Sequence, residues 1–243
     1  MCTLVVAAGV VKDHPVVVVA NRDERLDRAA SPPLVWAEGF LAPRDEVAGG
    51  TWLGVNPAGV FVGITNRYLG PNDKTRESRG AIVTRALALG SARAIHEAMS
   101  RVSPLQHNGY HLVYVDAHDA LATVSDGAHL AQLTLGSGVH VVTERSFGAG
   151  DDRARVARIQ RAWPASADVE ALSRLLTGHD DADPFGATCI HLPGVPYGTR
   201  SGTALALATS REASRMLWAE GPPCTTPFVP VDVAAILKGG ETR

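Results

Sequence analysis

A cysteine stands second in the chain, in the stretch "MCTLVVAAGVV". With Met1 removed, Cys2 carries a thiol and a free α-amine on one residue. An α-amine has a reference pKa near ~8, low enough for it to act as a base at neutral pH. It can take the thiol proton, let the thiolate attack a carbonyl carbon, and return the proton to the leaving nitrogen, so no catalytic histidine is needed. A plainer reading stands beside this one. Cysteine is among the most buried residue types, and Cys2 can be a small hydrophobe at a strand edge.

Further candidates sit at the ends of apolar runs. In "NRDE" (21–24), Asp23 can hold or orient the α-amine, and Asn21 or Arg22 can contact substrate, although the same residues also suit a solvated turn. Asn66, closing "GITN", can donate its amide to a developing oxyanion, a contribution typically worth ~3 kcal/mol, or can form an Asx-type turn. Arg200 in "PYGTRSG" can lower a thiol pKa or bind a carboxylate, or can be a surface arginine. Trp52 in "GGTWLG" suits the core and can also wall a pocket. His107 and His111 in "HNGYH" lack the glutamate of a zincin motif and read as two unrelated histidines. "GTRSGT" is not a G-x-S-x-G elbow, and no phosphate-binding glycine loop is present.

These residues need a frame to position them. "TLVVAAGV" (3–10) and "VVVVA" (16–20) read as a hairpin turned at "KDHP", which returns residues 21–24 toward the N-terminus. Residues 49–66 read as a second hairpin around "NPAG". Helical spacing occupies 78–102, with Ser78 able to cap it and Gly90 dividing it in two. Strands are expected at 110–116, 120–125, 129–134 and 139–143. Helices follow at "DDRARVARIQRAW", with acids in the first turn and Val156, Ile159 and Trp163 on one face, and at "ADVEALSRLLTG", ending in Gly178 as a C-cap. Strands return at 187–192, 203–209, 214–219 and 226–230. Helix pairs segregated from hairpins exclude a doubly wound parallel sheet. Strands apolar on both faces need cover on both sides. The expected fold is α+β, a four-layer αββα sandwich in one domain over 1–243.

Composition is that of a soluble globular chain, with 45% apolar and 20% charged residues and a formal net charge of −2. Neither a nucleic-acid nor a membrane partner is indicated. The three cysteines are odd in number, widely separated and without a CxxC pair. That argues against a disulfide framework or a structural zinc site, hence no metal, and for a reducing, cytoplasmic setting.

"MCTL", "NRDE", "GGTWLGVN…G…GITN", "SRGAIV" and "YGTRSGT", in this order, resemble the NRDE or transport-and-Golgi-organisation family. That family is similar to N-terminal-nucleophile hydrolases of the choloylglycine hydrolase and penicillin V acylase type, which share the αββα architecture. The resemblance makes Cys2 the nucleophile, Asp23 the acid that positions the new N-terminus, Asn66 the oxyanion asparagine and Arg200 their late arginine. It also places Glu144, in "VVTERSF", where those hydrolases carry a second asparagine. An ionised carboxylate cannot donate to an oxyanion.

The function expected is hydrolysis of the C–N bond of a small acylated amide through a thioester on Cys2, with neither metal nor organic cofactor. The resemblance also implies an alternative, a non-catalytic haem or acyl-lipid carrier, in which the Cys2 thiolate can ligate haem iron. Nothing in the sequence specifies an oligomeric state.

Overall fold

The computed structural model describes residues 2–147, 149–150, 152–164 and 166–237. Met1 and Asp151, on which the processing argument and part of a helix-dipole argument rest, lie outside them. The opening apolar runs form the antiparallel hairpin of β1 (Thr3–Val11) and β2 (His14–Arg25), turned at Asp13 with a φ of 60°. The second hairpin extends to four strands, β3 (Ala30–Val35), β4 (Leu41–Asp45), β5 (Leu53–Val55) and β6 (Phe61–Asn66). Helices α1 (Gly80–Leu87) and α2 (Ala92–Met99) flank Gly90, and the Ser78 hydroxyl accepts from the Gly80 N–H at the start of α1.

Then come β7 (Tyr110–Val115), β8 (Ala120–Ser125), β9 (Leu130–Thr134), β10 (Gly138–Thr143), β11 (Ser146–Phe147) and β12 (Ala149–Gly150). The second helix pair is α3 (Arg153–Ala162) and α4 (Val169–Ser173), the latter continuing as a 3-10 turn over Arg174–Leu176. The described chain closes with β13 (Tyr197–Leu207), β14 (Arg215–Ala219), β15 (Val229–Val231) and the short α5 (Ala234–Leu237).

The strands form an eight-stranded sheet in the order β12-β11-β10-β1-β2-β13-β14-β15 and a seven-stranded sheet running from β3 to β9 in chain order. Strand alternation sets the layering. Leu4, Val6 and Ala8 of β1 and Val16, Val18 and Ala20 of β2 share a core with Leu53, Phe61 and Val113 of the opposing sheet. Val5, Ala7, Val17 and Val19, on the other face, pack against Ile159 of α3 and Leu172 of α4. A third core joins Ile82, Val83 and Ile95 of α1 and α2 to Val62, Leu112 and Tyr114. The architecture is thus the expected αββα sandwich. No helix among the described residues is long and apolar enough to cross a membrane.

Several local expectations are corrected. Residues 187–192 form no strand beyond a single bridge from His191 to Gly198. The strand expected at 203 begins at Tyr197, so "YGTRSG" is strand and not turn. Gly178 does not take a left-handed C-cap. Its carbonyl instead accepts from the N–H groups of Thr188 and Cys189, and a Cβ there would meet Thr188 Oγ1 at 2.9 Å.

The "GGTW" and "SRG" segments meet backbone to backbone. A Cβ on Gly50 would lie 2.6 Å from the carbonyl carbon of Gly80, with no flexible side chain able to yield. Gly49 has a φ of 72° but open space around it. Gly50→Ala is therefore expected to cost about 3 kcal/mol through overpacking and Gly49→Ala about 1 kcal/mol through backbone strain. Urea denaturation of the two variants checks the order. Equal losses would mean that the contact relaxes freely.

Candidate active site

Register places Cys2 between two polar neighbours. Thr3 pairs with Asn21 on β2 and with Thr143 on β10. The residue before Thr3 therefore lies across from Arg22 on one side and Glu144 on the other. The hairpin brings "NRDE" back to the N-terminus as expected, and the Cys2 thiol donates to the Asp23 carbonyl at 3.8 Å.

Alternation then divides the motif. Arg22 and Glu24 share the face of Cys2 and line a cleft of about 730 Å³. Asn21 and Asp23 point to the helix side. The Asn21 amide donates to the carbonyls of Leu176 at 3.0 Å and Thr188 at 2.8 Å. Both its protons are spent on the frame, which leaves none to bind substrate in the cleft. Asp23 is buried and accepts from the Thr199 hydroxyl at 2.6 Å. The Tyr197 hydroxyl donates to the Asp23 carbonyl at 3.2 Å.

The cleft brings Cys2 together with Arg22, Trp52, Asn66 and Glu144 from among the expected residues, and adds Arg79 and Tyr197. The Arg22 guanidinium stacks on Trp52, 4.2 Å from the ring centroid, and pairs with Asp45 at 3.1 Å. Its Nη1 has no hydrogen-bond partner among the described residues. Arg200 stands apart and donates to the Arg28 carbonyl at 3.3 Å. A β-bulge between Thr199 and Ser201 explains this, because it leaves Arg200 without a register partner on β2. Thr199 takes the position beside Asp23 instead.

Burial pushes the Cys2 thiol up to about 11, with the Asp23 and Glu144 charges adding to the shift. Burial likewise raises the Asp23 carboxyl to about 6, against the opposing Thr199 hydrogen bond. His111 lies behind the site, its Nδ1 3.2 Å from the Thr65 hydroxyl, and burial lowers its pKa to about 4. His107 sits elsewhere, with Nδ1 at the Glu77 carbonyl, so the two histidines are indeed unrelated.

A depressed histidine contributes stability that is complete above its unfolded pKa near 6.5. That contribution is lost as pH falls through 4, and amounts to roughly 3 kcal/mol. Asp23 works in the opposite sense over a similar window, so the net acid limb is a difference between the two. His111→Gln is expected to remove the histidine part and leave the variant relatively more stable at pH 4 than at pH 7. Urea melts at both values check this, and a pH-independent difference would refute it.

Sequence reasoning passed over four positioning residues. Arg79 and Tyr197 lie inside the quoted "SRGAIV" and "YGTRSGT", and Thr199 holds Asp23. Arg155 is buried and donates to the Thr3 hydroxyl and the Phe185 carbonyl. Its spacing of four from Ile159, on the apolar face of α3, was the available signal. Chain separation does not keep two of the cysteines apart. Cys189 and Cys224 both reach His191 Nε2, at 3.6 and 3.0 Å, so a group of metal-ligand type exists despite the absence of a CxxC pair.

Comparison with solved structures finds the same fold elsewhere. The Caenorhabditis elegans N-acylethanolamine-hydrolyzing acid amidase ortholog matches with a TM-score of 0.60 and 12% identity, over 94% of this chain and 100% of that one. An arginine-to-leucine variant of conjugated bile acid hydrolase from Clostridium perfringens matches with a TM-score of 0.54 and 10% identity, over 94% and 92%. A cysteine-to-alanine mutant of that hydrolase gives 0.51 and 10%, over 97% and 93%. At such identities the likeness shows the fold alone. Comparison with curated proteins finds no significant match. The transport and Golgi organisation 2 family matches residues 1–216, and the chain belongs to that family.

Proposed function

We propose that this protein is a cysteine N-terminal-nucleophile hydrolase that cleaves the C–N bond of a small acylated amide, acting in the cytoplasm after removal of Met1. The observation that carries the reading is that Cys2 lines the cleft while its thiol reaches the Asp23 carbonyl across the hairpin. Burial of Cys2 disfavours its thiolate, so the thiol needs a base, and none of the described cleft-lining residues is a histidine. The α-amine of Cys2 is that base.

The amine takes the thiol proton and the sulfur attacks the carbonyl carbon. Asn66, whose amide makes no hydrogen bond among the described residues, donates to the oxyanion. The ammonium then protonates the leaving nitrogen, the C–N bond breaks and a thioester remains. Water, deprotonated by the amine, attacks the thioester to release the acid and restore the thiol. Asp23 orients the amine from the helix side. Arg22, with its unpartnered Nη1 over Trp52, binds an acceptor on the substrate, and Glu144 contacts a donor. Asn21 and Arg200 have no part in this scheme.

The carrier alternative has less support. The walls carry Arg22, Glu24, Arg28, Asp45, Arg67, Glu77, Arg79 and Glu144, a poor match for the apolar faces of a porphyrin or for a long acyl chain. Intact mass before and after treatment with iodoacetamide tests the proposal. Loss of Met1 and an adduct on Cys2 are expected. Retained Met1, or labelling confined to Cys189 and Cys224, would sink it.

A further inference from the structure

The cluster behind the site comes from two segments held by backbone hydrogen bonds. Residues 188–191 are hydrogen-bonded on both sides. Thr188 and Cys189 donate from their N–H groups to the Gly178 carbonyl, Ile190 donates to the Thr199 hydroxyl, and Thr199 donates back to the Ile190 carbonyl. Cys189 Sγ lies 3.6 Å from His191 Nε2, so the two side chains turn to the same side of this stretch. Cys224 arrives from the tight turn after β14, where the N–H groups of Thr225 and Thr226 share the Pro222 carbonyl.

The two sulfurs and His191 Nε2 all lie within 4.8 Å of one another. Ligand atoms around a tetrahedral zinc ion, with Zn–S near 2.3 Å and Zn–N near 2.0–2.1 Å, are separated by about 3.4–3.8 Å. Small side-chain adjustments bring the three donors to that spacing. Cys189 is buried, while His191 and Cys224 are half-buried, so the site is closed on one side and open on the other. At the open side the His179 ring packs edge-on against His191, with centroids 4.5 Å apart, and its Nε2 is bonded to Asp181 at 2.8 Å.

We propose that Cys189, His191 and Cys224 form a zinc site with two thiolates, one imidazole and a fourth position taken by water or by His179. Two soft sulfurs and an imidazole favour Zn²⁺ over the hard cations. The ion ties the 188–191 segment to the 222–226 turn. That segment carries Thr188, which holds Asn21, and is bonded to Thr199, which holds Asp23. The metal therefore stiffens the frame behind Cys2 without entering the cleft.

The test uses the full chain purified without chelator, with zinc measured by mass spectrometry. Metal-free protein is then titrated with Co²⁺ alone and followed by absorption. About one metal per chain is expected, with thiolate-to-cobalt charge-transfer and tetrahedral ligand-field bands. Both are expected to persist in Cys2→Ala and to vanish in Cys224→Ser and His191→Ala, two half-buried positions whose variants are checked for folding by circular dichroism. Chelator is expected to lower the melting temperature of the wild type but not of Cys224→Ser. Absence of metal and of the cobalt bands in folded wild type would overturn the proposal. So would cobalt bands that survive in Cys224→Ser, or a peptide map showing a Cys189–Cys224 disulfide in protein prepared under reducing conditions.

Discussion

Cys2→Ala is expected to cut amide hydrolysis by roughly a thousandfold or more with the fold retained. An equal loss is expected when Cys2 keeps its thiol but a residue inserted after Met1 blocks processing. The second variant separates the two halves of the chemistry. With the thiol pKa near 11, only about one molecule in ten thousand carries a thiolate at pH 7, so the sulfur without its amine is a poor nucleophile. Release of acid from a panel of N-acyl amides provides the rate, and mass spectrometry shows whether a thioester accumulates. A processed Cys2→Ala protein that turned over at the wild-type rate would remove Cys2 from the mechanism. A blocked chain with full activity would instead assign the base to another group.

The parts of this site that could be read from the sequence are those fixed by local pairing. β1 and β2 declare themselves through β-branched runs, and one tight turn is enough to return Asp23 to the N-terminus. Strands β3 and β4 were not legible, because "ASPPLV" and "LAPRD" carry proline and charge. β3 tolerates Pro32 and Pro33 since it is an edge strand of the seven-stranded sheet. Knowing that residue 23 returns does not say which face its side chain takes. That depends on which side of the sheet holds α3 and α4, and it separates Asn21 and Asp23 from Arg22 and Glu24. Arg200 was misplaced because a bulge is a one-residue irregularity that an apolar pattern does not record. The pairing of Cys189 with Cys224 depends on the turn after β14 folding back, a tertiary fact with no local signature.

Asp23→Asn is expected to raise stability at neutral pH and lower turnover by roughly a hundredfold, and both effects have one origin. The folded-state pKa of Asp23 lies near 6 against an ordinary value of 3.8, and burial is the main cause. An acid raised in this way binds its proton more tightly when folded. Its contribution to stability is complete below the unfolded pKa and is lost as pH rises from about 4 through 6, reaching a cost of up to about 3 kcal/mol above that window. Asparagine keeps an acceptor for the Thr199 hydroxyl and removes the charge, but its amide brings a donor that costs about 1–3 kcal/mol if unmet. The net shift at pH 7 is therefore smaller than 3 kcal/mol. The sharper observable is its pH dependence, because the advantage of the variant should shrink steadily between pH 6 and pH 4. Thermal melts across that range would refute the account if the two proteins kept a constant difference. The activity loss follows from the same carboxylate. An ionised Asp23 is tolerated behind Cys2 because the proposed α-ammonium sits beside it, and the neutral amide offers that ammonium only an uncharged acceptor that Thr199 also uses. A variant that is more stable, pH-insensitive and still fully active would show that Asp23 is a frame residue and does not orient the amine.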